Sequence, residues 1–121
     1  MKRALMTATV PSMIGQFNMN NIKLLQELGY KVDIATNFND YTVWNQERIN
    51  KFENELKELN IQTFNISFSR NPKDIKNLMN SYKQMKQLFD NQEYTLIHTH
   101  TPISSLITRL AYKRSNIYEA C

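Results

Sequence analysis

Cysteine, glycine and proline are scarce in this chain of 121 residues, and long apolar runs are missing. The single cysteine, Cys121, excludes a disulfide within the chain and a zinc site built from cysteines. Two glycines and three prolines exclude collagen-like and linker-like chains. No apolar run reaches the roughly 18 residues that a membrane span needs. The opening residues 1–10 carry only a short apolar run broken by threonine, which predicts a cytoplasmic protein without a signal peptide.

The charge balance is mildly basic, with 15 Lys and Arg against 11 Asp and Glu and a formal net charge of +4. A nucleic-acid-binding protein would need a dense basic cluster, so no nucleic-acid partner is predicted. The length fits one domain, and a chain of this size buries roughly two-thirds of its unfolded surface.

The period of the apolar residues switches repeatedly between strand-like and helix-like. The predicted strands are residues 3–10, 31–36, 61–68 and 94–99, and the predicted helices are residues 16–28, 43–59, 72–89 and 103–111. A turn is predicted over residues 11–15, and Asn71 followed by Pro72 is the predicted start of the third helix. Alternation of this kind predicts an α/β fold with a doubly wound parallel sheet of about four strands, in the order 3-2-1-4, and helices on both faces.

The third predicted helix is basic and amphipathic. It carries four lysines, at positions 73, 76, 83 and 86, and an apolar stripe that includes Ile75 and Met79. Such a helix either presents a solvated outer face or makes a weak contact with an anionic membrane. Because the apolar stripe is assigned to covering the sheet, only the lysines are expected to reach lipid headgroups.

Ligands of open parallel sheets bind beyond the carboxyl ends of the strands, where the strand order reverses. Here that point lies between the first and fourth strands, so residues 11–18 and 98–102 are the candidate site. Gly15 would open a helix whose free N–H groups could hold a phosphate, or it would simply form a tight turn. The chain has neither a G-x-G-x-x-G nor a P-loop pattern, which excludes those nucleotide sites.

His98 and His100 are two residues apart on a predicted strand and therefore point to the same face. Some metal hydrolases use such a pair, but these are the only histidines of the chain, and a zinc site needs further ligands. No metal site is predicted. The remaining alternatives are a packed histidine beside a hydrogen-bonded one, or a ligand contact by His100, which lies nearer the mouth.

Three segments resemble the retaining family 4 glycosyltransferases of bacterial capsule and exopolysaccharide synthesis. The first reads ATVPSMIGQFN over residues 8–18 and continues as IKLLQELGYKV over residues 22–32. The second is FSRNP over residues 68–72. The third, YTLIHTHTP over residues 94–102, is similar to the family's D-L-I-H-x-H-T-P motif, with Thr95 where Asp is usual.

The resemblance implies half of a two-Rossmann-domain architecture, the half that faces the acceptor. The implied reaction moves a sugar from a nucleotide-sugar donor to a lipid-linked or saccharide acceptor, at the inner face of the membrane and with no separate cofactor. Ser12, Gly15 and Gln16 would contact a donor phosphate or the acceptor, and His100 and Thr101 would line the acceptor cleft. No catalytic residue is assigned.

The family's A-H-G loop and its E-x7-E motif in the donor domain are missing, and the pattern ends near Arg114. We therefore expect an incomplete N-terminal domain over residues 1–114, an irregular segment over residues 115–121 and no activity of the chain alone. Without a fifth strand, the outer edge of the fourth would be open to self-association. The alternative reading is a non-catalytic flavodoxin- or receiver-like module, although a receiver would need acidic residues where Thr9 and Ser67 stand.

Overall fold

The structure, a computed structural model, describes residues 2–112 and 117–120. The strands are β1 (Arg3–Thr7), β2 (Lys31–Thr36), β3 (Gln62–Asn65), β4 (Leu96–His100) and β5 (Ile117–Ala120). The helices are α1 (Pro11–Phe17), α2 (Met19–Glu27), α3 (Gln46–Glu58), α4 (Ile75–Asn91) and α5 (Pro102–Ala111). In this part of the chain, no helix has both the length and the apolar character that crossing a membrane requires.

The strands form a parallel sheet in the order β3-β2-β1-β4-β5. The predicted order 3-2-1-4 is therefore confirmed, with one further strand at the end. β1 is central, between β2 and β4. Since the strands are parallel, their carboxyl ends meet at one edge of the sheet, and the loops that follow them meet there too.

The fifth strand corrects two expectations. Residues 117–120 form a strand within the segment that was expected to be irregular, and this strand pairs with Ile97–His100 of β4. The outer edge of β4 is thus hydrogen-bonded, which removes the basis for self-association through it. A strand of four residues shows no clear apolar period, and its pairing is made by backbone groups, so the pattern of side chains could not reveal it. Residues 115, 116 and 121, including Cys121, lie outside the described residues.

The sheet separates two apolar cores because successive side chains of a strand point to opposite faces. Met6 and Ile34 lie on the face covered by α1, α2 and α3, where they pack with Phe52. Leu5 and Ile97 lie on the opposite face, beneath α4 and α5. Both faces of the central strands are therefore covered, as is typical of a parallel sheet.

Residues 11–17 form a helix rather than the predicted turn, and Asn18 separates this helix from α2. The backbone N–H of Asn18 donates to the carbonyl of Ile14 (3.0 Å), and the carbonyl of Asn18 accepts from the N–H of Ile22 (3.0 Å). The amide side chain of Asn18 also donates to the carbonyl of Met13 (2.7 Å). One asparagine therefore ends α1 and begins α2, where the apolar pattern had indicated one helix over residues 16–28.

Helix α4 begins later than predicted. Asp74 is its N-cap and accepts from the N–H of Asn77 (3.4 Å), whereas the Asn71 side chain accepts from the N–H of Lys73 in the preceding turn (3.0 Å). On this helix Ile75 is 65% exposed and Met79 is 55% exposed, while Met85 is buried. The outer face of α4 is therefore both apolar and basic, and the expectation that the whole apolar stripe covers the sheet was wrong.

A buried polar network closes the sheet near the amino ends of the strands. Asp33 on β2 is 0% exposed, and its Oδ2 accepts from Arg3 Nη2 (2.6 Å) and from the Tyr94 hydroxyl (2.7 Å). Arg3 also donates to the side chain of Gln92. The network thus ties β1 and β2 to the end of α4 and to the segment that leads into β4.

Candidate functional site

A cleft of about 370 Å³ lies at the carboxyl edge of the sheet, at the point where the strand order reverses. Loops following β1, β2, β3 and β4 all contribute to it. Its lining consists of Thr9, Val10, Met13, Val43, Arg70, Thr101, Pro102 and Ile103. The volume falls within the range of small-molecule sites. A cavity therefore lies at the edge of the sheet where the strand order predicted a ligand site.

A chain of hydroxyl groups leads from the cleft into the interior. Ser104 donates to the carbonyl of His100. Its oxygen lies 2.9 Å from the hydroxyl oxygen of Thr101, which in turn lies 2.7 Å from that of Thr9. Because a serine has only one hydroxyl proton, Thr101 must donate to Ser104, and Thr9 then donates to Thr101. The hydroxyl oxygen of Thr9 is left as an acceptor.

Thr101 connects β4 to α5 in an unusual backbone conformation. Its φ is +76°, in the left-handed region that favours glycine. Such strain persists only where the surrounding structure holds it, and it clusters at functional sites. Here the hydroxyl chain on one side and Pro102 at the start of α5 on the other hold the residue beside the cleft.

Arg70 reaches the cleft because the loop after β3 is tied across the ends of the neighbouring strands. The Asn37 side chain donates to the carbonyl of Phe68 (2.9 Å), and the Asn37 backbone N–H donates to the carbonyl of Thr9 (3.4 Å). Arg70 itself donates to the hydroxyl of Thr42 (3.2 Å). The sequence prediction missed Arg70 and Val43, although both follow strands that end at this edge.

The predicted site residues fall into separate groups. Thr101 lines the cleft, whereas Ser12, Gly15 and Gln16 lie on α1 outside its lining. Ser12 is buried and Gln16 is exposed. At Gly15, an added Cβ would lie 2.3 Å from Cη2 of Trp44, whose ring packs edge-on against Phe52. Packing against Trp44 is thus a sufficient reason for glycine at this position.

His100 lies behind the cleft and not in its lining. It is 5% exposed, its ring centroid is 4.3 Å from that of His98, and its Nε2 has no hydrogen-bond partner among the described residues. Desolvation, together with the nearby His98, lowers the pKa of His100 to about 4, and burial also lowers the pKa of His98. Both imidazoles are therefore neutral at pH 7. Within residues 2–112 and 117–120, no cluster of three or more His, Cys, Asp or Glu is placed to hold a metal ion.

Solved structures with a similar fold come from proteins of different function. MurG of Acinetobacter baumannii superposes with a TM-score of 0.65 at 15% identity, over 98% of this chain and 34% of its own. The C-terminal domain of PF1911 hydrogenase from Pyrococcus furiosus superposes with a TM-score of 0.60 at 14% identity, over 98% of this chain and 91% of that domain. At such identities the likeness shows a shared fold and no more.

Sequence comparison identifies the family to which the chain belongs, which the shared fold alone does not. EpsD of Bacillus subtilis (strain 168), a protein named as a glycosyltransferase, is 28% identical over 114 residues, which are 94% of this chain and 26% of EpsD. The chain thus spans about a quarter of that relative's length. The profile of the family described as "Glycosyl transferase 4-like" matches residues 13–119, a range that includes six of the eight residues that line the cleft. The chain therefore belongs to the glycosyl transferase 4-like family.

Proposed function

We propose that this chain is the acceptor-side domain of a glycosyltransferase of cell-surface polysaccharide synthesis. The reaction transfers a sugar from a nucleotide-sugar donor to a lipid-linked or saccharide acceptor on the cytoplasmic side of the membrane. The observation that carries the proposal is the cleft at the carboxyl edge between β1 and β4, in a chain of this family. Thr101 contacts the acceptor in the cleft, and His100 supports Thr101 from behind.

Transfer requires more than this domain. A sugar must be held against its acceptor, and the charge that develops in the transition state must be stabilised from both sides of the reacting bond. Of the predicted contacts on α1, the exposed Gln16 would face the donor or the acceptor when a second domain closes the cleft, whereas the buried Ser12 and the packed Gly15 would hold α1 in place. We therefore expect the isolated chain to bind acceptor-like molecules without turning over a nucleotide sugar.

Nuclear magnetic resonance of the 15N-labelled chain tests this function. Octyl glucoside, kept below its micelle-forming concentration, should shift the amide signals of Thr9, Thr101 and Ile103, while flavin mononucleotide should leave them unchanged. Incubation with radiolabelled UDP-glucose and octyl glucoside should yield no product. Binding of the flavin with no response to the glucoside would favour the flavodoxin-like module, and turnover by the isolated chain would show that the reaction needs no second wall.

The outer face of α4 supports a weak contact with an anionic membrane. The exposed apolar side chains of Ile75 and Met79 lie on the same helix as the exposed Lys76 and Lys83. The same surface extends to α5, because Leu110, which is exposed, shares a depression with Lys86. Apolar side chains beside lysines are the combination by which surface helices bind anionic lipid.

Sedimentation with vesicles tests the membrane contact. Vesicles of phosphatidylglycerol and phosphatidylcholine should retain the chain, and pure phosphatidylcholine vesicles should not. Replacement of Ile75 and Met79 by Asn should reduce retention several-fold. Leu28→Asn, which changes an exposed leucine on the opposite face, is the matched control. Equal retention of the double variant and the wild type would contradict a contact through α4.

A further inference from the structure

We propose that two copies of this chain pair through the outer edge of β3, in antiparallel orientation and about a two-fold axis. The pairing is independent of the acceptor function, because β3 is an end strand of the sheet and the cleft lies between β1 and β4. It rests on the direction of the β3 backbone groups, on the lack of charge along this edge and on the chemistry of a groove beside it.

The outer edge of β3 carries free backbone groups. In the part of the chain that the structure describes, β3 pairs with β2 alone. The N–H of Ile66 donates to the carbonyl of Thr36 on β2 (3.0 Å). Because the backbone groups of successive strand residues point to alternate sides, those of Phe64 also face β2, and those of Thr63 and Asn65 face away from it. Each of these two residues thus offers one N–H and one C=O at the outer edge.

The free part of this edge is short, because both of its ends are closed. The N–H of Ser67 donates to the side chain of Gln84 on α4 (2.7 Å), and the N–H of Ile61 donates to the carbonyl of Leu56 on α3 (2.9 Å). Between these points, the strand Gln62–Asn65 has neither a charge nor a proline, the features by which proteins commonly protect an edge from pairing. The edge is therefore open to one short partner strand.

A second copy of β3 fits this edge best in one antiparallel register. Outward groups form hydrogen bonds only where they meet the outward groups of the other strand. That condition places Thr63 opposite Asn65 of the second copy, and Asn65 opposite Thr63 of the second copy, with two N–H···O bonds at each pair. A shift to either side brings a closed residue, Ile61 or Ser67, opposite an outward one and loses hydrogen bonds.

This register places the Phe64 side chains of the two copies opposite each other, on the face that α4 covers. Phe64 is half-buried and packs against the core beneath α4. Residues that lie opposite each other between two hydrogen-bonded pairs have their Cα atoms about 4.5 Å apart, so their side chains touch. Aromatic pairs at such positions stabilise a sheet, and this one adds a side-chain contact to the backbone bonds.

A groove of about 320 Å³ lies beside Phe64, between β3 and α4. Its described lining adds the apolar Ile66 and Leu88 and five amide side chains, at positions 65, 84, 87, 91 and 92. A two-fold axis brings a surface against its own copy. Like charges would repel across that axis, whereas amide groups both donate and accept. The uncharged lining therefore suits a second copy, even though the whole chain carries a net charge of +4.

The pairing leaves the cleft open and sets the two α4 helices on one side of the joined sheet. The axis is perpendicular to the sheet, because the paired Phe64 side chains lie on the same face. The exposed apolar and basic side chains of both α4 helices then face the same way. Two weak contacts on one rigid body bind a surface more strongly than one, so the pair would reinforce the membrane contact proposed above.

Sedimentation equilibrium of the 121-residue chain tests the pairing, with the single cysteine kept reduced. An interface built on one short strand is of the weak class, so the chain should be monomeric at about 10 µM and largely dimeric at about 1 mM. Amide hydrogen exchange at the two concentrations locates the contact. Exchange at Thr63 and Asn65 should slow as the concentration rises, while exchange at Val43 and Ile103 in the cleft should not change.

Substitutions at one position assign the dimer to this edge. Thr63→Pro removes an outward N–H without touching the bonds to β2 and should weaken pairing at least about tenfold. Thr63→Lys brings like charges together across the axis and should weaken pairing in a way that added salt relieves. Asn20→Lys adds the same charge at an exposed position on α2 and should leave pairing intact. Circular dichroism confirms the fold of each variant, and the lysine variant keeps the test decisive should the proline variant unfold.

Two results would overturn the proposal. One is a chain that stays monomeric at the higher concentration. The other is a dimer that forms equally well with Thr63→Lys, or in which the amides of Thr63 and Asn65 exchange as fast as in the monomer, since its contact would then lie elsewhere. The titration with octyl glucoside tests the acceptor function separately, and neither result changes its outcome.

Discussion

Two arginines at opposite ends of the sheet have opposite surroundings. Arg3, near the amino ends of the strands, has a side chain that is 23% exposed and bonded to Asp33 and Gln92. Arg70, at the carboxyl edge, is exposed and bonded only to the Thr42 hydroxyl among the contacts of the described residues. Both terminal nitrogens of Arg3 are bonded within the fold, whereas most donors of Arg70 have no partner among the described residues.

The comparison extends to the two ends as a whole. Near the amino ends, a fully buried carboxylate joins β2 to β1 and to Tyr94, so polar groups there hold the domain together. At the carboxyl edge, the hydroxyls and the cation surround a cavity. Polar side chains thus stabilise the fold at one end and surround a cavity at the other, and four predictions test that division.

Asp33→Ala should have the largest effect on stability. Removing the carboxylate leaves Arg3 and the Tyr94 hydroxyl without their buried partner, and breaking a buried pair on one side costs about 3–5 kcal/mol. Urea unfolding followed by circular dichroism measures the loss. Asp90→Ala, at an exposed position on α4, is the control and should change stability by less than about 0.5 kcal/mol. A small loss for Asp33→Ala would show that the amino end is not held by this network.

The buried His100 and the half-buried His98 should make the fold sensitive to acid. Their pKa values are lowered in the folded state, so the unfolded chain binds more protons as the pH falls from about 6.5 toward 4. The free energy of unfolding should therefore be almost fully retained above about pH 7 and should fall by about 3 kcal/mol by pH 4, most of it from His100. Unfolding curves at several pH values measure this fall. His98→Gln/His100→Gln should remove that part of the pH dependence, and identical pH profiles would contradict it.

Gly15→Ala should destabilise the fold by about 1 kcal/mol. Alanine improves helix propensity by about 1 kcal/mol, but its Cβ collides with Trp44, and overpacking of this kind costs about 1–3 kcal/mol. In a Trp44→Leu background the collision is absent, so the cost of Gly15→Ala should disappear. Thermal melts of the four chains in this cycle give the answer. An equal loss of stability in both backgrounds would show that Gly15 is needed for its backbone conformation and not for the space that it leaves to Trp44.

Arg70→Gln should have the smallest effect on stability, below about 0.5 kcal/mol, because an exposed side chain with one neutral hydrogen bond contributes little. Arg3→Gln, compared in the same urea titration, should cost clearly more. If the two variants were equally destabilised, the contrast between the ends of the sheet would fail.

Much of this fold follows from local patterns. The alternation of strand-like and helix-like periods predicted the strand order, and β2 was predicted at the bounds it has, residues 31–36. Errors arose where short elements or competing caps decide the structure. Helix α1 has seven residues, too few to show a period, and Asn71 and Asp74 compete for the start of α4.

The candidate site was also predicted only in part. Topology placed the loops after β1 and β4 together, and Thr101 does line the cleft. The contribution of Arg70 depends on the bonds from Asn37 to Phe68 and Thr9, which join residues distant in sequence. His100 was expected to line the cleft, but its side chain is buried outside the lining and packs against the ring of His98. Long-range contacts of this kind leave no trace in the spacing of residues.

The backbone of Thr101 sets stability against binding at a single position. Glycine would adopt its φ of +76° without strain, yet glycine would delete the hydroxyl that joins Thr9 to Ser104. A library of variants selected only for survival on heating would therefore accumulate glycine at position 101. A library selected for capture of an acceptor would keep threonine or serine there, and the divergence of the two populations would measure how strongly function constrains this residue.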